Sequence, residues 1–153
     1  MQGLPHRYSV TALAAPEGDA FLEAERLPLL ASAPPTEFGG PGDRWSPETL
    51  LAAAVADCFV LTFRAIAKAT LLPWVDIRCD VEATLDRVGR VTRFTDMLLR
   101  AYLRIPEGAS AEQAQRVLTR AKEQCLVSNS LISSSRLEVV VEVAADGETV
   151  TAA

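Results

Sequence analysis

The feature that most constrains this chain is a long apolar segment with a sharp start. Ser46-Pro47-Glu48 opens it. Serine is a favourable N-cap, and proline has its φ preset for a first helical turn. Glu48 places a carboxylate at the positive end of the helix dipole. From Leu50 to Ala69 almost every position is apolar, and Asp57, Arg64 and Lys68 form one narrow polar stripe. Pro73 ends the segment. A helix apolar nearly all round needs cover on most of its surface, so a buried central helix over residues 46–70 is expected. The three charges argue against a membrane span.

The flanking segments read as strands. Tyr8, Val10 and Ala12 alternate with Arg7, Ser9 and Thr11; Pro16-Glu17-Gly18-Asp19 signals a turn, and 20–26 is the expected return strand. N-terminal strands therefore fall within 7–32. Pro34-Pro35 and Gly39-Gly40-Pro41-Gly42 make a loop. After the helix, Val75, Ile77, Cys79, Val81, Ala83 and Leu85 alternate with polar residues, a period of two that puts one face on a core. Gly89 marks a turn, and 93–105 returns with Leu99, Ala101, Leu103 and Ile105 inward. The whole hairpin spans 74–106. Ser110 and Gln113 form a capping box for an amphipathic helix over 110–125. A last strand covers 136–144. Because the strands come in hairpins, the expected class is α+β with a largely antiparallel sheet. At 153 residues the chain reads as one domain, able to bury about 68–70% of its unfolded surface without disulfide staples.

Composition excludes several functions. The net charge is −5 and the basic residues form no run, so no nucleic-acid footprint is present. Met1–Arg7 lacks the apolar stretch of a signal peptide. Three cysteines with no repeat spacing do not make a secreted disulfide framework, and a reducing cytoplasm is the expected compartment. One histidine and no CxxC spacing supply no zinc site, and no serine triad can be built around His6. No phosphate loop or dinucleotide fingerprint is present, so no cofactor is expected.

The thiols remain. Cys79 lies on the inward face of an alternating strand and reads as core. Cys58 follows Asp57 on the apolar helix, and Cys125 closes the second helix and opens Ser128-Asn129-Ser130. Two thiols far apart in sequence, each on a core-facing helix, suggest a buried redox site. Each residue alone fits an ordinary core cysteine equally well.

Together, Ser46-Pro47-Glu48, Leu50-Leu51-Ala52-Ala53, Cys58-Phe59 and Cys125-Leu126-Val127-Ser128-Asn129-Ser130-Leu131 resemble the OsmC/Ohr family of organic hydroperoxide reductases. Glu37-Phe38-Gly39-Gly40-Pro41-Gly42 looks like the family's loop. The resemblance implies an intertwined homodimer and a two-cysteine peroxidase, with Cys58 peroxidatic and Cys125 resolving. A Cys58–Cys125 disulfide would be returned to thiols by an external dithiol, in this family a lipoylated protein. The family also sets an Arg–Glu pair beside the reactive cysteine. Glu48 matches the Glu. Ten helical residues rise about 15 Å, so Glu48 would meet a cysteine across the dimer rather than Cys58 of its own chain. Where members carry the arginine, this chain has Asp19-Ala20 or Glu37-Phe38. Arg44, four residues before Glu48 and close enough to pair with it or else an exposed loop arginine, and Arg26 are the substitutes. A non-enzymatic relative binding a small hydrophobic ligand or sensing redox state, and a structural dimer with core cysteines, are the rival readings.

Overall fold

The computed structural model describes residues 3–145 and contains two compact units, Met1–Leu51 and Ala52–Ala153. In the first, β1 (Thr11–Leu13), β2 (Ala20–Glu23) and β3 (Leu30–Ser32) form an antiparallel sheet in that order, with Ala12 opposite Leu22 and Phe21 opposite Ala31. β2 is shorter than the expected 20–26. Arg26 takes a left-handed φ of 64°, and Leu27 N–H donates to Ala24 O at 3.1 Å, so the chain turns where the strand was to continue. The proline–glycine loop closes on itself through Phe38 N–H and Gly40 N–H, both donating to Pro35 O. A Cβ on Gly40 would sit 1.6 Å from Pro34 O, so the loop admits only glycine there.

Helix α1 (Pro47–Ala69) begins in the first unit and continues through the second. Its start is a reciprocal cap. Ser46 N–H donates to Thr49 Oγ1 at 2.8 Å, and Thr49 N–H donates to Ser46 Oγ at 3.2 Å. Thr49 takes the part that Glu or Gln plays in the usual capping box.

In the second unit, β4 (Asp76–Val88) and β5 (Val91–Ile105) pair as the expected antiparallel hairpin. Gly89, with φ 64°, is the first of its two turn residues, a place that favours glycine. β5 is the central strand, and Leu99, Ala101, Leu103 and Ile105 are buried as expected. The alternation of β4 does not run to its end. A register shift between Thr84 and Leu85 breaks the pleat, and Leu85 is exposed. Buried residues of α1 form one stripe, Val55, Phe59, Phe63, Ile66 and Ala67. Phe63 meets Trp74 edge to face at 5.4 Å between ring centres.

Helix α2 (Ala111–Glu123) is capped by Ser110, whose Oγ accepts from Gln113 N–H at 3.1 Å. The second half of the expected capping box is absent, because Gln113 Nε2 donates to Thr70 O at 3.1 Å and ties α2 to the end of α1. A one-turn helix α3 (Leu126–Asn129) follows, then β6 (Ser134–Val143). β6 pairs with β5 in parallel, Leu99 opposite Leu137. The fold is α+β and its sheets are largely antiparallel, yet this one ladder belongs to a β5–α2–β6 crossover. An intervening helix supplies the length a parallel return needs.

Candidate functional site

Cys58 and Cys125 are brought together in the second unit. Cys58 is half-buried on α1, between Asp57 and the fully buried Phe59. Cys125 does not close α2 as expected. α2 ends at Glu123, and Cys125 is the extended residue that precedes α3, with φ −67° and ψ 105°. That bend turns the side chain inward. Cys125 is fully buried, and its thiol donates to Val55 O on α1 at 3.9 Å. Cys58 lies near enough to raise the Cys125 pKa, and both are free thiols.

The Ser128-Asn129-Ser130 segment holds this bend in place. Ser128 Oγ donates to Cys125 O at 3.2 Å, Asn129 Nδ2 to Glu123 O at 2.8 Å, and Ser130 Oγ to Leu126 O at 2.8 Å. These are short-range side-chain bonds to backbone of the kind that end helices. Burial raises the Cys125 pKa, hydrogen bonds from the Ser128 side chain and backbone lower it, and Cys58 raises it again, with a net rise. Ser128 thus acts on the sulfur as well as on the backbone, a role its place three residues after the cysteine could have signalled.

Cys79 differs from both. It is half-buried on β4 opposite Ala101. Burial, then the charge of Asp80 and the neighbouring Cys125, pushes its thiol up to about 12 from an ordinary 9.0. A thiol of that kind is a poor nucleophile at neutral pH. Cys79→Ala should cost about 1 kcal/mol through a small cavity and leave thiol chemistry elsewhere intact. Iodoacetamide at pH 8 should label Cys58 before Cys79, as peptide mapping would show; early labelling of Cys79 would reverse the order of reactivity. A raised pKa also means that the stabilisation from keeping Cys79 protonated is complete below 9.0 and disappears as pH rises toward about 12.

Arg44 and Glu48 belong to the first unit, and they do not pair. Arg44 Nε donates to Asp19 Oδ2 at 2.8 Å, and its Nη1 lies 3.1 Å from Asp43 Oδ2. The hydrogen bond to Asp19 is the main cause of its raised pKa, followed by the charges of Asp19 and Asp43. Of the two readings left open for Arg44, neither the Glu48 pair nor a free loop arginine holds; an Arg44–Asp19 pair ties the β1–β2 turn to the loop before α1. Sequence spacing favoured Glu48; the turn delivers a carboxylate that is nearer in space. Glu48 Oε2 is buried and has no hydrogen-bond partner among the described residues. Arg26 is exposed and, among the described residues, pairs with its neighbour Glu25 at 3.6 Å. Among the described residues no group of three or more His, Cys, Asp or Glu side chains could hold a metal ion.

The profile of the family described as OsmC-like protein matches residues 40–142. An uncharacterized protein of Bacillus subtilis, YmaD, is 23% identical over 117 residues, covering 74% of this chain and 78% of YmaD. An OsmC-like protein of unknown function from Vibrio cholerae superposes with a TM-score of 0.81 at 16% identity, covering 89% of this chain and all of that one. An organic hydroperoxide resistance protein OsmC from Legionella pneumophila superposes with a TM-score of 0.72 at 25% identity, covering 92% of this chain and all of that one.

Proposed function

Because this chain belongs to the family of OsmC-like proteins, we propose that it is a thiol-dependent peroxidase that reduces organic hydroperoxides. One observation carries the reading. Cys58 on α1 and Cys125 at the bend before α3, far apart in sequence, come near enough for Cys58 to act on the Cys125 thiol. Core packing alone does not require two thiols to meet. Cys58 is the more accessible of the two and takes the peroxidatic role.

The Cys58 thiolate attacks one oxygen of the peroxide. The O–O bond breaks, the alcohol leaves with a proton, and Cys58 becomes a sulfenic acid. The Cys125 thiol then displaces water from that sulfenic acid, and a Cys58–Cys125 disulfide forms. An external dithiol, of the lipoylated kind the family uses, attacks the disulfide, leaves oxidised and restores both thiols. Overall, one hydroperoxide and one dithiol give one alcohol, one water and one oxidised dithiol. By the family resemblance, Glu48 is proposed to complete the site of a second copy, with Arg44, here paired to Asp19, as the candidate arginine. The reduced protein treated with cumene hydroperoxide should lose two thiols and yield a crosslinked peptide pair containing Cys58 and Cys125. Persistence of both free thiols would remove the peroxidase reading.

The working form is proposed to be a cytoplasmic homodimer. Two features support this. Only 28% of the most apolar stretch of α1 is buried within one chain. The first unit leaves Leu13 and Phe21 exposed on its three-stranded sheet, and Leu29 and Trp45 exposed beside it. α1 is also long and apolar enough to cross a membrane, but Asp57, Arg64 and Lys68 would be costly in lipid. Light scattering at low micromolar concentration should return twice the mass of one chain, and a folded monomer would overturn the dimer.

A non-enzymatic ligand-binding role is the second reading. It is favoured by the apolar pocket beside Glu48 and by the engagement of Arg44 with Asp19.

A further inference from the structure

Ser128 is 5% exposed and is the third residue of α3, whose cap is Cys125. Its Oγ donates to Cys125 O at 3.2 Å. That carbonyl already accepts from Asn129 N–H at 3.0 Å. The bend is fastened by two further bonds, Asn129 Nδ2 to Glu123 O and Ser130 Oγ to Leu126 O. The Ser128 hydroxyl thus donates to an acceptor that is satisfied without it. Burying a hydroxyl costs free energy that burying an alanine methyl does not, so fastening the bend is a poor reason for a serine here. Ser128 also reaches the sulfur. The side chains of a helix cap and of the third helical residue face each other, the geometry on which capping boxes depend. Both the side chain and the backbone N–H of Ser128 favour ionisation of the Cys125 thiol.

We propose that Ser128 is a positioning residue for the resolving step: its hydroxyl turns from Cys125 O to the Cys125 sulfur as that thiol ionises to attack the Cys58 sulfenic acid. In the resting protein the thiol donates to Val55 O. Ionisation removes that proton and leaves a buried anion that needs donors. Turning the Ser128 hydroxyl strands no acceptor, because Asn129 N–H stays on Cys125 O. The new bond is the stronger one, since charge-assisted hydrogen bonds are about twice as strong as neutral ones. The titratable neighbours that act on Cys125 are Cys58 from α1 and Cys79 from β4, and negative charge on either opposes its ionisation. The thiolate attacks the sulfenic sulfur, and the S–S bond forms as the S–O bond breaks. The departing hydroxide takes up the proton that Cys125 released and leaves as water; Ser128 keeps its own proton.

This role rests on the peroxidase reading and deepens it by giving one step a residue. Two measurements on the reduced full-length protein test it. In a Cys58→Ser, Cys79→Ala background, thiolate absorbance against pH follows Cys125 alone and needs no peroxide. Ser128→Ala should move the midpoint to higher pH by about one unit or more, the scale of one hydrogen bond to a charged group. Ser128→Thr keeps the hydroxyl and should restore it. With the three cysteines in place, one equivalent of cumene hydroperoxide starts a single turnover. Ser128→Ala should form the Cys58 sulfenic acid at the wild-type rate. It should then resolve it about three- to tenfold more slowly at neutral pH, because the lost thiolate is partly offset by the greater nucleophilicity of a more basic sulfur. The deficit should shrink as pH rises. Asn129→Ala is the structural control: it loosens the bend and should slow resolution by a factor that does not change with pH. Ser128→Gly takes the place of Ser128→Ala, with the same expectations, if that variant fails to fold by circular dichroism. A wild type that forms sulfenic acid, together with an unchanged Cys125 midpoint or a slowing as independent of pH as that of Asn129→Ala, overturns the role of Ser128 alone. A wild type that forms no sulfenic acid overturns the peroxidase reading, and the resolving step with it.

Discussion

Cys58→Ser is expected to abolish hydroperoxide consumption, because a hydroxyl at neutral pH is a far weaker nucleophile than a thiolate. Cys125→Ser should behave differently. It retains the half-buried Cys58 thiol and loses only the buried partner that completes the disulfide. It should consume about one equivalent of peroxide in a single phase and then stop at a sulfenic acid that dimedone traps on Cys58. Steady turnover with a dithiol should be lost in both variants, so the single-turnover phase is what separates them. The contrast depends on the bend at Gln124–Cys125, which turns the second thiol toward Val55 and Cys58. If the two variants behave alike, or if neither changes peroxide consumption, the peroxidase reading falls and the ligand-binding role is preferred.

Phe63→Ala should produce the largest loss of stability of any single truncation discussed. Phe63 is fully buried on the inward stripe of α1 and packs edge to face on Trp74. Removing a buried phenyl ring costs about 3–5 kcal/mol through lost transfer energy and the cavity left behind. The aromatic contact adds about 0.5–1.5 kcal/mol that the larger figure already includes in part. The chain has two tryptophans, and Trp45 is about half exposed. The change in emission on unfolding should therefore come mainly from Trp74, and the folded variant should emit at longer wavelength as water reaches that ring. Denaturant midpoints compared with wild type at equal slope would measure the effect. Phe63→Leu, which keeps most of the volume, should recover more than half of it. A Phe63→Ala protein within 1 kcal/mol of wild type, as an order-of-magnitude threshold set against that cavity cost, would mean that the α1 stripe is not packed as described.

Much of the fold is legible in the amino-acid sequence because local rules decide it. Ser46-Pro47 starts α1 where the cap chemistry says it must, and Ser46 and Thr49 satisfy each other within one turn. Strict alternation identifies β4 and β5, and Gly89 turns one into the other. Ser110 begins α2. Each of these depends on residues within a few positions of one another, and such interactions are nearly the same in any context. The motif residues around Cys58 and Cys125 likewise pointed to the family that the profile over 40–142 shows.

Tertiary structure decided the rest, and each case turns on partners distant in sequence. Alternation says that β6 has an inward face but not which neighbour or direction it takes; the α2 crossover made the β5–β6 ladder parallel. Helical periodicity carried Cys125 to the end of α2, whereas the chain bends one residue earlier and buries the thiol against Val55. Spacing offered Glu48 to Arg44, and the β1–β2 turn delivered Asp19 instead. An ion pair forms with whichever carboxylate the backbone brings close, since the attraction falls with distance in space and carries no memory of separation along the chain.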